Sequence, residues 1–103
     1  MTGPLKNHYN VGQIVRHKHY SYRGVIVEWN PVCRADDAWY HKSKDQPSRE
    51  QPWYHIIVDG GGTTYVAQQY LELSHDHKAI ENPFIEHCFT TFVEGRYYKH
   101  SIN

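Results

Sequence analysis

The sequence predicts a mostly β domain, a small SH3-like barrel carrying one short C-terminal helix. Three observations predict it. Short runs rich in Val, Ile, Tyr and Thr interleave with polar residues, the pattern of half-buried strands. Gly60-Gly61-Gly62 and Asn30-Pro31 punctuate those runs with turn-forming and strand-breaking chemistry. Apolar residues recur at helical spacing only after Asn82-Pro83. Short strands hide their edges by closing on themselves, and an OB-like barrel would need longer strands than these.

Residues 1–10 are polar, contain Gly3 and Pro4, and read as a mobile lead-in. Val11 to Lys18 reads as a first strand on the strength of Val11, Ile14 and Val15. His19-Tyr20-Ser21-Tyr22 is a turn, and Arg23 to Trp29 a second strand centred on Val25-Ile26-Val27, which Asn30-Pro31 ends. Val32 to Pro52 is polar and aperiodic, with Trp39 and Tyr40 inside it. A connection this long in a small domain is functional or mobile, and its rings predict that part of it packs back on the strands. Trp53–Asp59 and Thr63–Ala67 are the third and fourth strands, joined by the glycine hairpin. Gln68 to Leu73 suits a short helical turn plugging one barrel end, and Ser74 to Lys78 a polar connector. Asn82 as cap and Pro83 in the first turn predict a helix from Pro83 to Val93. Gly95 stops it, and Arg96-Tyr97-Tyr98 is a last strand or tail, with residues 99–103 trailing.

One domain of 103 residues follows. Aromatic residues make up 15% and include nine tyrosines, so much of the core must be rings whose polar tips need partners. Formal net charge is zero, which argues against a dedicated non-specific nucleic-acid binder, because phosphate neutralisation demands an excess of Lys and Arg. Nine histidines make the chain more positive on mild acidification. Two cysteines, Cys33 and Cys88, do not make a disulfide scaffold. No signal peptide or membrane-length apolar run is visible, so the expectation is a soluble intracellular protein with reduced thiols.

Metal and catalytic chemistry find no support. His17 with His19, and His75 with His77, have the spacing of strand pairs, but structural zinc sites use cysteine pairs and neither cysteine has a close partner. Gly60-Gly61-Gly62 lacks the lysine of a phosphate loop. No nucleophile stands in a recognisable context. The expectation is a non-enzymatic protein with no metal and no cofactor.

Binding chemistry is better supported. Arg16, Lys18 and Arg23 flank the first turn and are the candidate nucleic-acid contacts, although His17 and His19 fall on the opposite strand face from Arg16. Tyr22, Arg23, Trp39, Trp53 and Tyr54 are the candidate protein-binding residues, because aromatic-lined grooves hold extended peptides and Tyr, Trp and Arg dominate interface energies.

Two blocks carry a family resemblance. The first is Val11-Gly12-Gln13-Ile14-Val15-Arg16-His17-Lys18-His19-Tyr20-Ser21-Tyr22-Arg23-Gly24-Val25-Ile26-Val27, running on to Trp29-Asn30-Pro31. The second is Gln51-Pro52-Trp53-Tyr54-His55-Ile56-Ile57-Val58-Asp59, followed by Tyr65-Val66-Ala67. Together they resemble the YccV/HspQ-like domain, labelled the hemimethylated DNA-binding domain, over residues 11–98. Asn82-Pro83 and Gly95-Arg96-Tyr97-Tyr98 look closest to the version appended to certain F-box proteins. The resemblance implies an SH3-like barrel and one of two roles. One is an adaptor in regulated proteolysis and protein quality control, with a protease, ligase component or substrate segment as partner. The other is binding of hemimethylated duplex DNA.

Overall fold

The computed structural model describes residues 8–99. Strands β1 (Ile14–His17), β2 (Arg23–Asn30), β3 (Trp53–Val58), β4 (Thr63–Ala67) and β5 (Leu71–Leu73) form one antiparallel sheet in the order β4-β3-β2-β1-β5. Strands β6 (Thr91–Val93) and β7 (Arg96–Tyr98) form a separate hairpin. Two short helices complete the fold, α1 (Asp37–Lys42) and α2 (Ile85–Cys88), with a 3-10 turn at Gln68–Tyr70.

The alternation seen in the sequence sorts the sheet into two faces. Val15, Ile26, Tyr54, Ile56, Val66 and Leu71 fill one apolar cluster. On the other face, Ile14, Val25 and Ile57 meet Ile80, Phe89 and Tyr97 from the C-terminal segment, while Trp53 and Ala67 meet Cys33 from the long connection. The β2–β3 register slips between Ile26 and Glu28, a bulge that bends β2 and raises its twist. At Gly24 the strands approach so closely that a Cβ would lie 2.4 Å from Ile56 Cγ2 and 2.7 Å from the Ile57 carbonyl oxygen.

Three expectations are corrected. The closed barrel does not form: among the described residues the ladder ends at β4 and β5, which do not pair. The rings of Tyr22 and Tyr70 line the gap beside β4 where a closing ladder would run. The stretch after the 3-10 turn is a strand, because Leu71-Glu72-Leu73 pairs with Val15-Arg16-His17. The helix expected over residues 83–93 is confined to Ile85–Cys88, and Phe89 is already extended at φ −134, ψ 151. Glu94 at φ 49 and Gly95 at φ 80 then make the turn of the β6–β7 hairpin. Asn82 still organises this region. Its carboxamide oxygen accepts from the Phe84 N–H, while Nδ2 donates to the carbonyls of Val58 and Gly62 and ties the segment to the glycine hairpin.

The lead-in expected over residues 1–10 lies outside the described residues as far as residue 7. Tyr9 is held: its N–H donates to the Tyr54 hydroxyl at 2.8 Å and its own hydroxyl to the Leu71 carbonyl at 3.0 Å. Of the tail expected over 99–103, residues 100–103 lie outside the described part. Both thiols are free, Cys33 buried and Cys88 half-buried.

Candidate functional site

The long connection between β2 and β3 folds into a small lobe. Asp36 caps α1, accepting a hydrogen bond from the Trp39 N–H at 2.8 Å, as short polar residues do at helix starts. Arg49 is the hub. Its guanidinium lies 4.7 Å from the centre of the Tyr40 ring, donates to the Ala35 carbonyl and ion-pairs with Asp37 at 3.4 Å. The Tyr40 hydroxyl closes the lobe by donating to the Pro47 carbonyl at 2.7 Å.

This lobe sets Trp39 over the edge of the sheet. The indole meets Trp53 edge-on at 6.2 Å and Tyr65 at 5.8 Å between ring centres, geometries the aromatic quadrupole favours. Trp53 is buried and donates its Nε1–H to the Ser48 carbonyl. Trp39 keeps 41% of its surface in solvent.

The turn between β1 and β2 builds the facing wall around His17. This imidazole is only 5% exposed, stacked on Tyr20 at 4.6 Å and on Tyr70 at 5.6 Å, with Tyr22 at 5.2 Å. Its Nδ1 accepts from the N–H groups of both His19 and Tyr20 at 3.1 Å, so the ring proton belongs on Nε2. Burial first, and the neighbouring His19 second, push its pKa below the ordinary histidine value. The turn is tight enough to hold Ser21 at φ 66, in the left-handed region.

Between lobe and turn runs an open groove of about 410 Å³, floored by β4 and walled by Tyr20, Tyr22 and Tyr70 on one side and Trp39 and Pro47 on the other. Burial raises the pKa values of Tyr22, Tyr65 and Tyr70, so their hydroxyls stay protonated at neutral pH. Lys44 and Asp45, one charge of each sign, also line it.

The groove therefore gathers Tyr22, Trp39 and Trp53, with Trp53 contributing mainly its packed ring beneath. Two other candidates lie elsewhere. Tyr54 is 0% exposed, accepts from the Tyr9 N–H and donates to Gln68 Oε1 at 2.6 Å, and burial pushes its pKa up to about 12. It offers no surface to a partner. Arg23 is a structural tie, donating to the Asp76 and Lys78 carbonyls and pairing with Asp59 and Asp76. Backbone hydrogen bonding from Lys78 and then Arg23 hold the Asp76 carboxyl below its usual range. Of the other candidate nucleic-acid contacts, Arg16 pairs with Glu72 at 2.7 Å and Lys18 is exposed. Among the described residues no three His, Cys, Asp or Glu side chains gather in a cluster that could hold a metal ion. His17, Tyr65 and Tyr70 escape a reading by sequence, because their roles depend on the approach of β4 to a turn distant in the chain.

The chain's residues 7–96 match the family model described as "Hemimethylated DNA-binding protein YccV like". The chain belongs to the YccV-like family. Among relatives it is 30% identical to F-box only protein 21 of Pongo abelii and of Homo sapiens, and 29% identical to that of Mus musculus, over 92 residues in each case. The alignment takes in 86% of this chain but 15% of those relatives, so the YccV-like domain spans a small part of their length. No helix among the described residues is long and apolar enough to cross a membrane.

Proposed function

We propose that this YccV-like domain is a non-enzymatic module that binds a segment of another protein, as an adaptor in regulated proteolysis. The observation that carries the reading is the groove itself: an open cleft of about 410 Å³ whose walls are tyrosine and tryptophan rings, the residue types that dominate protein interfaces. Trp39 supports it further, because a 41% exposed indole set by a capped helix over a cleft is an anchor available to a partner. The similarity to F-box only protein 21 supports a link to ubiquitin ligases. Strand order β4-β3-β2-β1-β5 with a 3-10 turn between β4 and β5 supports an SH3-like description of an incompletely closed barrel. The family's description names hemimethylated DNA. Against that second reading, two of its three candidate contacts, Arg16 and Arg23, are engaged by Glu72, Asp59 and Asp76 and so are less available to phosphates.

The test pairs capture of partners from a native lysate with denaturation. Trp39→Ala is expected to weaken capture of the parent's partner by an amount equivalent to about 2 kcal/mol while the fold is retained. Undiminished capture by a folded Trp39→Ala variant would refute the groove, and tight methylation-dependent duplex binding at physiological salt would establish the DNA reading instead.

A further inference from the structure

We infer that the partner segment binds as an added β-strand along the free edge of β4. The inference rests on the groove reading above and specifies how the groove is filled.

The hydrogen-bond parity of the β3–β4 ladder gives the starting point. The Val58 N–H donates to the Gly62 carbonyl at 3.0 Å, and the Gln68 N–H to the Pro52 carbonyl at 2.9 Å. In an antiparallel pair these bonds recur every second residue. Even-numbered residues of β4 therefore turn their backbone groups to β3. The odd-numbered residues Thr63, Tyr65 and Ala67 turn theirs to the outer edge. β4 ends the sheet, and among the described residues the N–H groups of all three and the carbonyls of Thr63 and Tyr65 meet no backbone or side-chain partner across that edge. A row of unpaired strand groups is a template for another strand.

That edge is also the floor of the aromatic groove, which is lined by Thr64, Tyr65, Val66 and Ala67. A strand laid there would form main-chain bonds to β4 and send alternate side chains toward opposite walls. One set meets Tyr22 and Tyr70, and the other meets Trp39. Outward positions from Thr63 to Ala67 span roughly 13 Å at the usual strand rise, the reach of about five residues.

The occupant is an extended, uncharged segment of a different protein with apolar side chains at alternate positions. The lining charges, Lys44 and Asp45, cancel and select neither an acidic nor a basic ligand. A second copy is disfavoured by shape: β4 is recessed between the Tyr20–Tyr22 turn and the α1 lobe, and the edge of another copy carries the same two walls. A lone strand carries no such walls.

The test uses dodecapeptides recovered from a random phage-displayed library on the immobilised full chain, kept only if Trp39→Ala abolishes their binding. Amide hydrogen exchange is then read by NMR with and without a saturating synthetic version of the recovered peptide. Exchange at Thr63, Tyr65 and Ala67 is expected to slow tenfold or more. Replacing single peptide amides by esters is expected to weaken binding several-fold at every second position only. Trp39-dependent peptides that leave the Tyr65 amide unprotected, or ester effects without a two-residue period, would overturn strand addition and leave the groove standing. Failure to recover any Trp39-dependent peptide would overturn both. Protection that arises without peptide and rises with protein concentration, alongside a dimer in sedimentation, would assign the edge to a second copy and overturn the partner named here.

Discussion

Two segments cover opposite halves of the same sheet face, and they do so by different means. The C-terminal segment seals its half with apolar groups: Ile80, Phe89 and Tyr97 close over Ile14, Val25 and Ile57. The lobe between β2 and β3 packs buried Cys33 and part-buried Ala35 and Tyr40 against Trp53 and Ala67, lays Trp39 edge-on to Trp53 and Tyr65, and is tied together by Arg49, Asp36 and the Tyr40 hydroxyl. A lobe that adds hydrogen bonds and a cation–ring contact to a smaller apolar contact can leave an indole and a groove open to solvent. A lobe built on packing could not, because its rings would be consumed in the seal. On the groove reading proposed above, stability and binding fall to separate halves of one surface.

The sharpest way to break this division is Tyr97→Ala. Tyr97 is buried, packs on Phe89 at 5.3 Å and gives the Ile80 N–H its acceptor at 2.8 Å. Its loss is expected to cost about 3–5 kcal/mol, read as a shift in urea midpoint, and to unfold both halves together. Arg49→Met comes next, with an expected cost of about 1–2 kcal/mol. Hydrogen exchange should show α1 opening alone while the Tyr97 side of the sheet stays protected. An equal loss at both ends would mean that the lobe is part of the main core. Trp39→Ala is expected to cost less, about 1 kcal/mol, since only the covered part of the ring loses contact with Trp53 and Tyr65.

The smallest effect is a pH dependence. The fold favours neutral His17, whose pKa is lowered chiefly by burial. Its contribution is complete above the unfolded value of about 6.5 and declines as pH falls through that value toward the folded one. Tyr22 and Tyr70 resonances should move across this window, and Tyr97 resonances should not.

The elements that the sequence made legible are those defined by neighbours in the chain. The glycine hairpin and the alternation in Trp53–Val58 carry their own period, and Asn30-Pro31 ends β2 where expected. Leu71–Leu73 was hidden because a three-residue strand has no period of its own and exists only through pairing with Val15–His17. The helix after Pro83 was overdrawn because Phe84, Ile85, Cys88, Phe89 and Phe92 imitate helical spacing. Thr90-Thr91 and the Glu94-Gly95 turn instead favour a hairpin. Helix α1 did carry a signal in Asp36, a cap residue with acidic Asp37 behind it. Among the site residues, Trp39 stood out as an indole in polar surroundings. Tyr54 and Arg23 share its residue classes but face inward or into an ion network, which composition cannot distinguish.

The start and finish of the fold are hydrogen-bonded to each other. The Gly12 carbonyl accepts from the Tyr97 N–H at 2.9 Å, and Arg96 donates to the Val11 carbonyl at 3.4 Å. A Cβ at Gly12 would collide with the Tyr97 carbonyl oxygen at 2.0 Å, so glycine is what permits this closeness. The lead into the first strand and the last strand of the fold thus meet side by side, at Gly12 and Tyr97. Spliced into a surface loop of a larger host, such a unit would span almost no distance and leave the host's own fold undistorted.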